Sequence, residues 1–427
     1  MNASDTIFAL SSGAPPAAIG VIRISGAQAA LAVRALAGRL PAPRRASLAT
    51  LRDAAGVMLD SALVLWFPGP NTATGEDLAE LHCHGGRAVI AAIETALAAL
   101  PGLRRAEPGE FTRRAFANGR LDLAEAEGLA DLLSAETELQ RAAALGAMQG
   151  ALSRQVEGWR ARVLGLSAEL EAVLDFSDEE DAADLPDGFT WNIAALAGEL
   201  AEWLARPRSE KLGEGFRVVL AGPPNAGKST LFNALVESEA AITSPIAGTT
   251  RDVIERSVAI AGVPFTFVDT AGLRDASSDA IETIGIDRAR GELERADVVL
   301  WLGPEGEGPS AAWEIAAQAD RADFVAKAQA RFTLSATTGE GLGPLKSALV
   351  EAARAALPKP GEAALNARQH ARLAEAAEAL AAAQSLTDPL LTAEELRRAR
   401  LAFDRLIGRA TTEDMLDALF GRFCIGK

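Results

Sequence analysis

The stretch Arg217-Val218-Val219-Leu220-Ala221-Gly222-Pro223-Pro224-Asn225-Ala226-Gly227-Lys228-Ser229 decides how the middle of the chain folds. Its second part fits GxxxxGK[ST], and its first part is a short apolar run of strand composition. Behind the loop, Leu231, Phe232 and Leu235 recur at helical spacing. A strand, a glycine loop and a helix in that order make an anion cradle. Glycines let main-chain N–H groups curl around phosphate oxygens. The helix N-terminus adds positive dipole. Lys228 sets its ammonium against β- and γ-phosphates, and Ser229 offers a hydroxyl to Mg²⁺.

Working outward, Pro264 to Val268 and Asp297 to Leu302 are further apolar runs with helical stretches between them. This is the pattern of a doubly wound parallel sheet. Three short pieces then stand in the order of a GTPase. Gly248-Thr249-Thr250-Arg251-Asp252 offers a threonine that completes a Mg²⁺ shell once the γ-phosphate is bound. Asp269-Thr270-Ala271-Gly272 ends an apolar strand, with an aspartate for Mg²⁺ through water and a Gly272 N–H for the γ-phosphate. Ser335-Ala336-Thr337 resembles the loop that packs on guanine. Together they predict a switch-type GTPase whose two loops are ordered by the γ-phosphate and released on hydrolysis. The base-reading piece departs from the expected NKxD. Its best match is Ala317-Gln318-Ala319-Asp320, which keeps the aspartate for guanine N1–H and the N2 amine and loses the Asn and Lys. One lost polar base contact costs roughly 1 kcal/mol or more.

The whole chain has 427 residues, enough for two or three domains, and its 49% apolar content excludes a mainly disordered chain. Asp and Glu number 58 against 42 Lys and Arg, a net charge of −16. Such a balance argues against coating nucleic acid through bulk charge. Cys83 and Cys424 are the only cysteines, so no disulfide framework exists and a reducing compartment is expected. Met1 to Asp5 does not read as a secretory signal, and no apolar run of about 18 residues predicts a membrane span. The expectation is a soluble, cytoplasmic, multidomain protein.

Up to Asn118, Ile19 to Ile24 and Ser61 to Phe67 read as strands, and Ala27 to Leu36 and Val89 to Leu100 as helices. A compact α+β domain follows. From Leu145 through Met148, Leu152, Val156, Trp159, Val163, Leu166 and Leu170 to Val173, apolar residues step by three or four. That predicts one long helix packed in a bundle, ended by an acidic, solvated loop from Ser177 to Asp187. Residues 362–420 are helical again, so the α/β segment reads as an insertion in a helical domain.

The ends of the chain carry a resemblance. Phe423-Cys424-Ile425-Gly426-Lys427 closes the sequence. Asp5-Thr6-Ile7, Gly20-Val21-Ile22-Arg23-Ile24-Ser25-Gly26, His84-Gly85-Gly86, Pro108-Gly109-Glu110-Phe111-Thr112-Arg113-Arg114-Ala115-Phe116 and Asn118-Gly119-Arg120-Leu121-Asp122-Leu123 stand nearer its start. Taken together, the chain resembles the tRNA-modifying GTPase family MnmE, also called TrmE, over essentially its whole length. The resemblance implies a multidomain α+β and α/β fold. An N-terminal α+β folate-binding and dimerisation domain spans 1–118, a helical domain 119–212 and 347–427, and an inserted Ras-like P-loop G domain 213–346. It implies a homodimer that pairs with the flavoprotein MnmG (GidA) in a heterotetramer. That complex adds a carboxymethylaminomethyl or aminomethyl group to C5 of the wobble uridine of certain tRNAs, without a membrane.

The resemblance also implies roles for residues. GTP is gripped by Asn225, Ala226, Gly227, Lys228, Ser229 and Thr230, and by Ser244, Pro245, Ile246, Ala247, Gly248, Thr249 and Thr250. Asp269, Thr270, Ala271 and Gly272, with Asp320, Ser335 and Ala336, complete that set. Ser229 and Thr250 serve Mg²⁺. Asn225, Ser244, Ile246 and Thr249 serve a K⁺ held where two G domains meet, which does the electrostatic work of an arginine finger. Glu282 is the catalytic glutamate that positions the attacking water. Arg23, Glu80, Arg120 and Lys427 hold 5-formyltetrahydrofolate or a related tetrahydrofolate derivative. Cys424, in a mobile tail, is a candidate nucleophile or acid. His82-Cys83-His84 places ligand types on alternate strand positions without a fourth partner, so His84-Gly85-Gly86 is expected to shape the folate pocket rather than hold metal. Two other classes compete. A ribosome-assembly GTPase switch would want a basic RNA domain, and a nucleotide-gated interaction module would have no chemistry of its own.

Overall fold

The computed structural model describes residues 5–175, 185–237, 240–241, 254–270, 290–359, 362–410, 412–421 and 423–426. The chain divides into two compact units, Met1–Ala130 with Phe403–Lys427, and Asp131–Ala402.

The first unit is built on six strands: β1 (Thr6–Leu10), β2 (Ile19–Ser25), β3 (Ser47–Arg52), β4 (Met58–Phe67), β5 (Leu78–His84) and β6 (Leu103–Arg105). Their order is β3-β4-β5-β2-β1-β6, antiparallel throughout except for the parallel β1–β6 pair. The period of two sends Ile22, Ile24, Val64, Leu81 and Cys83 inward onto the helices Ala29–Ala37 and Arg87–Ala98. It leaves Arg23, Glu80 and His82 on the opposite face. Ile7 and Ala9 also point to that second face, where they pack with Phe111 of the helix Glu110–Ala117.

The Pro-Gly-Glu-Phe-Thr-Arg-Arg block is a clamp. Glu110, with a side chain 1% exposed, accepts from Arg104 at 2.6 and 2.8 Å, from Arg114 at 3.1 Å and from the Glu107 N–H at 2.9 Å. Burial pushes its carboxyl up, but these donors outweigh burial and hold it below the ordinary carboxylate range. Arg113 reaches the helix Glu413–Phe420, donating to Asp417 at 2.6 Å and to Glu413. Phe116 and Phe420 meet with ring centroids 6.1 Å apart. Gly109 sits at φ +68°, and a Cβ there would lie 2.1 Å from the Phe420 carbonyl, so only glycine admits this approach. Beyond Phe420 the described residues 423–426, expected to be mobile, make contacts with the first unit. Ile425 bridges Pro108, and Ser11 donates its hydroxyl to the Gly426 carbonyl at 2.7 Å.

The second unit holds a seven-stranded sheet: β7 (Phe216–Ala221), β8 (Ala240–Ala241), β9 (Ile254–Ile260), β10 (Val263–Asp269), β11 (Val298–Trp301), β12 (Trp313–Ala316) and β13 (Phe332–Thr333). The order is β13-β12-β11-β7-β10-β9-β8. Five strands are parallel, and β9 and β8 run antiparallel at one edge. The three runs expected to lie parallel do so as β7, β10 and β11. The antiparallel edge, outside that expectation, arises because Ala261 and Gly262 make a tight turn at φ +50° and +77°. A two-residue turn can only return the chain antiparallel. Buried Leu231, Phe232 and Leu235 of the helix Lys228–Val236, and Leu345 and Leu349 of the helix Leu342–Ala356, cover the sheet.

The expected single helix through Leu145 and Val173 is two helices, Glu138–Met148 and Ala151–Asp175, broken where Gly150 turns to φ +76°. The apolar stripe survives the break in Leu152, Val156, Trp159, Val163, Leu166 and Leu170, all buried. Trp159 packs edge-on against Trp203 of the helix Phe189–Leu204, centroids 5.3 Å apart. The first of the two helices opens with a capping box, the Thr137 N–H on Gln140 Oε1 at 2.9 Å and the Gln140 N–H on Thr137 Oγ1 at 3.3 Å. The same turn is stitched to the sheet: the Leu139 N–H donates to Gly262 at 3.1 Å and Gln140 Nε2 to Leu212 at 2.8 Å. The acidic run expected as a loop lies largely outside the described residues.

Glu110→Gln removes a buried carboxylate from two arginines and costs about 3 kcal/mol of local stability. Because the native carboxyl titrates low, its contribution is complete at neutral pH and drains away as pH falls below the unfolded carboxyl range. Hydrogen exchange of residues 104–117 in parent and variant therefore differs most at neutral pH, and the difference shrinks as pH falls below the ordinary carboxyl range.

Candidate functional site

The phosphate loop leaves β7 where the chain's two neighbouring strands part, β10 on one side and β11 on the other. That is the topological switch point of an open α/β sheet, the crevice where ligands bind. Lys228 opens the helix, and its side chain curls back into the loop with only 5% exposure, donating to the carbonyls of Gly222 at 2.9 Å and Pro223 at 2.7 Å. Ser229 donates its hydroxyl to Asp269 Oδ2 at 2.6 Å. Asp269 closes β10 in register with Leu220 of β7, so its carboxylate stands at that strand's carboxyl end, beside the helix start that carries Ser229. Two hard oxygen donors at that spot suit a small divalent cation. Thr270 turns its hydroxyl onto the Leu220 carbonyl at 2.8 Å.

On the base side, a cavity of about 180 Å³ opens between Gly227, Thr230 and Leu231 of the loop and helix and Ala317, Asp320 and Ala336 opposite. The segment carrying Asp320 is held to the β13 loop by the Ala319 N–H on Leu334 at 3.1 Å. Ser335 is fully buried, its hydroxyl accepting from the Thr338 N–H at 3.1 Å, so it shapes the loop that presents Ala336. Asn225, Lys228, Ser229, Asp269, Asp320 and Ala336 are thus brought around one crevice. Gln318, read from sequence only as a lost lysine, donates its Nε2 to the Asn225 carbonyl at 3.1 Å. No local pattern announces that bond, because its partners are 93 residues apart. Ser244, Pro245, Ile246, Ala247, Gly248, Thr249, Thr250, Ala271, Gly272, Glu282 and Lys427 lie outside the described residues.

In the first unit, Arg23 and Glu80 are cross-strand partners on β2 and β5. Arg23 Nη2 and Nε donate to Glu80 Oε1 at 2.9 and 3.1 Å, and His82 Nε2 stands 3.2 Å from Oε2. Burial raises the Glu80 carboxyl, and Arg23 and His82 more than compensate, keeping it below the usual range. The Arg23 guanidinium lies 5.9 Å from the Phe111 ring, under the helix that also carries the clamp for the tail. Arg120 follows that helix, exposed and flanking Gly75. His84 is exposed and bonded to Asp60 at 2.7 Å, at the rim of the sheet. Cys83 points into the core between the two histidines, and burial, then the nearby Asp60, push its thiol up to about 12. Among the described residues no three His, Cys, Asp or Glu side chains gather into a metal site. Cys424 is exposed, on a tail whose main chain is anchored.

Comparison with known proteins agrees with this layout. A family profile described as the MnmE helical domain matches residues 123–424, and one described as the GTP-binding protein TrmE N-terminus matches residues 6–120. The tRNA modification GTPase MnmE of Erythrobacter litoralis is 67% identical over 99% of this chain and 100% of its own length. The chain belongs to the MnmE family. The MnmE of Novosphingobium aromaticivorans is 65% identical, again over 99% of this chain and 100% of that relative. Among solved structures, the G domain of the T. maritima FeoB iron transporter is similar over 32% of this chain and 98% of that one, at 27% identity and a TM-score of 0.23. The MnmE assignment therefore rests on the full-length relatives and the two family profiles. No described helix is long and apolar enough to cross a membrane.

The two thiols differ in reactivity. At pH 8 a water-soluble alkylating reagent modifies the folded chain once; Cys424→Ser abolishes that modification, and Cys83 reacts only after denaturation. Peptide mass mapping reads both outcomes.

Proposed function

We propose that this chain is the GTP-hydrolysing subunit of a tRNA-modifying complex. With an FAD-containing MnmG-type partner, that complex installs a carboxymethylaminomethyl or aminomethyl group at C5 of a wobble uridine. The observation that carries the reading is the crevice between β10 and β11, which gathers a buried ammonium, a hydroxyl–carboxylate pair and an aspartate facing a base-sized cavity. A nucleoside triphosphate has these features in this order: anionic oxygens, a bound Mg²⁺, and a base edge with donors.

The mechanism follows from the residues. Lys228 exchanges two loop carbonyls for phosphate oxygens, which neutralises charge that grows as the terminal phosphoryl group leaves. Ser229, with Asp269 behind it, and Thr250 would hold Mg²⁺, and the ion would supply positive charge to the phosphates. Asp320 accepts from guanine N1–H and the N2 amine. Asn225, with Ser244, Ile246 and Thr249, offers oxygens to K⁺ when two such domains of a homodimer meet, and Glu282 orients water. The division into an N-terminal domain to residue 118, a G domain over 213–346 and a helical domain around it belongs to this reading.

In the first unit, Arg23, Glu80, Arg120 and Lys427 hold a tetrahydrofolate. A carboxylate beside a guanidinium fits a pterin, whose amine donates and whose carbonyl accepts. The folate supplies a one-carbon unit. Cys424 acts as nucleophile or acid from its anchored tail.

Two measurements test the proposal. Hydrolysis of GTP in K⁺ exceeds that in Na⁺ roughly tenfold or more, and Lys228→Ala lowers it about a hundredfold; equal rates in both salts remove the potassium role. Mass analysis of tRNA nucleosides shows an unmodified wobble uridine in cells lacking the gene. Reintroducing Glu80→Ala leaves it unmodified, whereas the parent gene restores it.

A further inference from the structure

The amide of Gln318 is held at both ends. Its Nε2 donates to the Asn225 carbonyl at 3.1 Å, and its Oε1 accepts from Arg321 Nη1 at 3.4 Å, with Arg321 steadied by Asp323 at 2.9 Å. Asn225 and Gln318 both stand in the left-handed region, at φ +62° and +61°, a conformation side chains other than glycine seldom adopt. Two such residues facing one another across 93 positions of sequence form a built contact. Gly227 leaves room for it, since a Cβ there would come within 3.1 Å of the Gln318 Nε2.

The consequence lies in the peptide unit. In a trans peptide the carbonyl of one residue and the N–H of the next point in opposite directions. Fixing the Asn225 carbonyl toward the base side therefore aims the Ala226 N–H the other way, back across the phosphate loop. There it makes only a long contact to the Pro223 carbonyl, 3.4 Å. An amide so aimed and so weakly engaged is ready for an anion. We propose that Gln318 is a positioning residue for the nucleotide: its side-chain amide sets the orientation of the Asn225–Ala226 peptide, so that the base-reading loop fixes the phosphate-binding amides. This deepens the nucleotide reading and rests on it.

The test uses the full chain and GDP. Gln318→Met keeps length and packing and removes the donor; Gln318→Lys keeps an N–H donor at that reach. The expected result for Gln318→Met is a five- to tenfold loss of GDP affinity, about one hydrogen bond. Faster hydrogen exchange of residues 223–228 accompanies it in the GDP-saturated protein, with melting of the nucleotide-free chain unchanged. Gln318→Lys restores both. Affinity within twofold of the parent, or lost affinity with unchanged loop exchange, overturns the proposal; the second result places Gln318 on the base alone. A parent chain that retains no GDP defeats the nucleotide reading itself, a distinct failure.

Discussion

Main-chain N–H groups must face an anion at the one place where the sheet splits, and the second unit is arranged around that requirement. Phe216 to Ala221 is buried between β10 and β11, so its exit is fixed by ladders on both sides. The helix that follows is held down by Leu231, Phe232 and Leu235, which pins its amino end at the same point. Lys228 can then be buried because loop carbonyls solvate its ammonium. Without the flanking strands the same eight residues would be a glycine-rich turn.

The first unit solves a different problem, which is to hold a chain terminus still. The tail buries one side chain of its own, Phe423, against Phe420, Leu123 and Leu416. The rest of the anchoring comes from other residues: Arg113 grips the preceding helix, Gly109 admits the Phe420 carbonyl, and Ser11 donates to the Gly426 carbonyl. A thiol at residue 424 is thereby both accessible and placed. Its buried counterpart, Cys83, is neither, since the strand period turns it into the core.

The phosphate loop, its strand and its helix were legible in the sequence because their contacts are local and their residue types are imposed by the chemistry. Asp269 and Ser229 were legible as separate metal-binding residues, but their 2.6 Å contact depends on β10 lying beside β7, a pairing set by long-range packing. The long helix was misread because an apolar stripe continues across Gly150, and periodicity does not register a single residue at positive φ. The parallel strands β7, β10 and β11 were legible, whereas the antiparallel edge was not, because Ala261 gives no sign that it will join Gly262 in a tight turn. The Pro-Gly-Glu-Phe-Thr block identified the family, yet its structural work as a clamp emerged only once Glu413 and Asp417 were seen against Arg113.

The stitched start of the helix Glu138–Met148 has mechanical meaning. Its first turn is bonded to the β9–β10 turn at Gly262 and to Leu212, so it cannot rotate independently of the hairpin edge. Eleven residues of rigid helix extend from that pivot for about 16 Å before the chain bends at Gly150. One of the hairpin's two strands, β10, is itself the strand that ends in Asp269. The hairpin and the Trp159 helix are thus joined by one bonded path, which runs through the helix Glu138–Met148 and bends at Gly150.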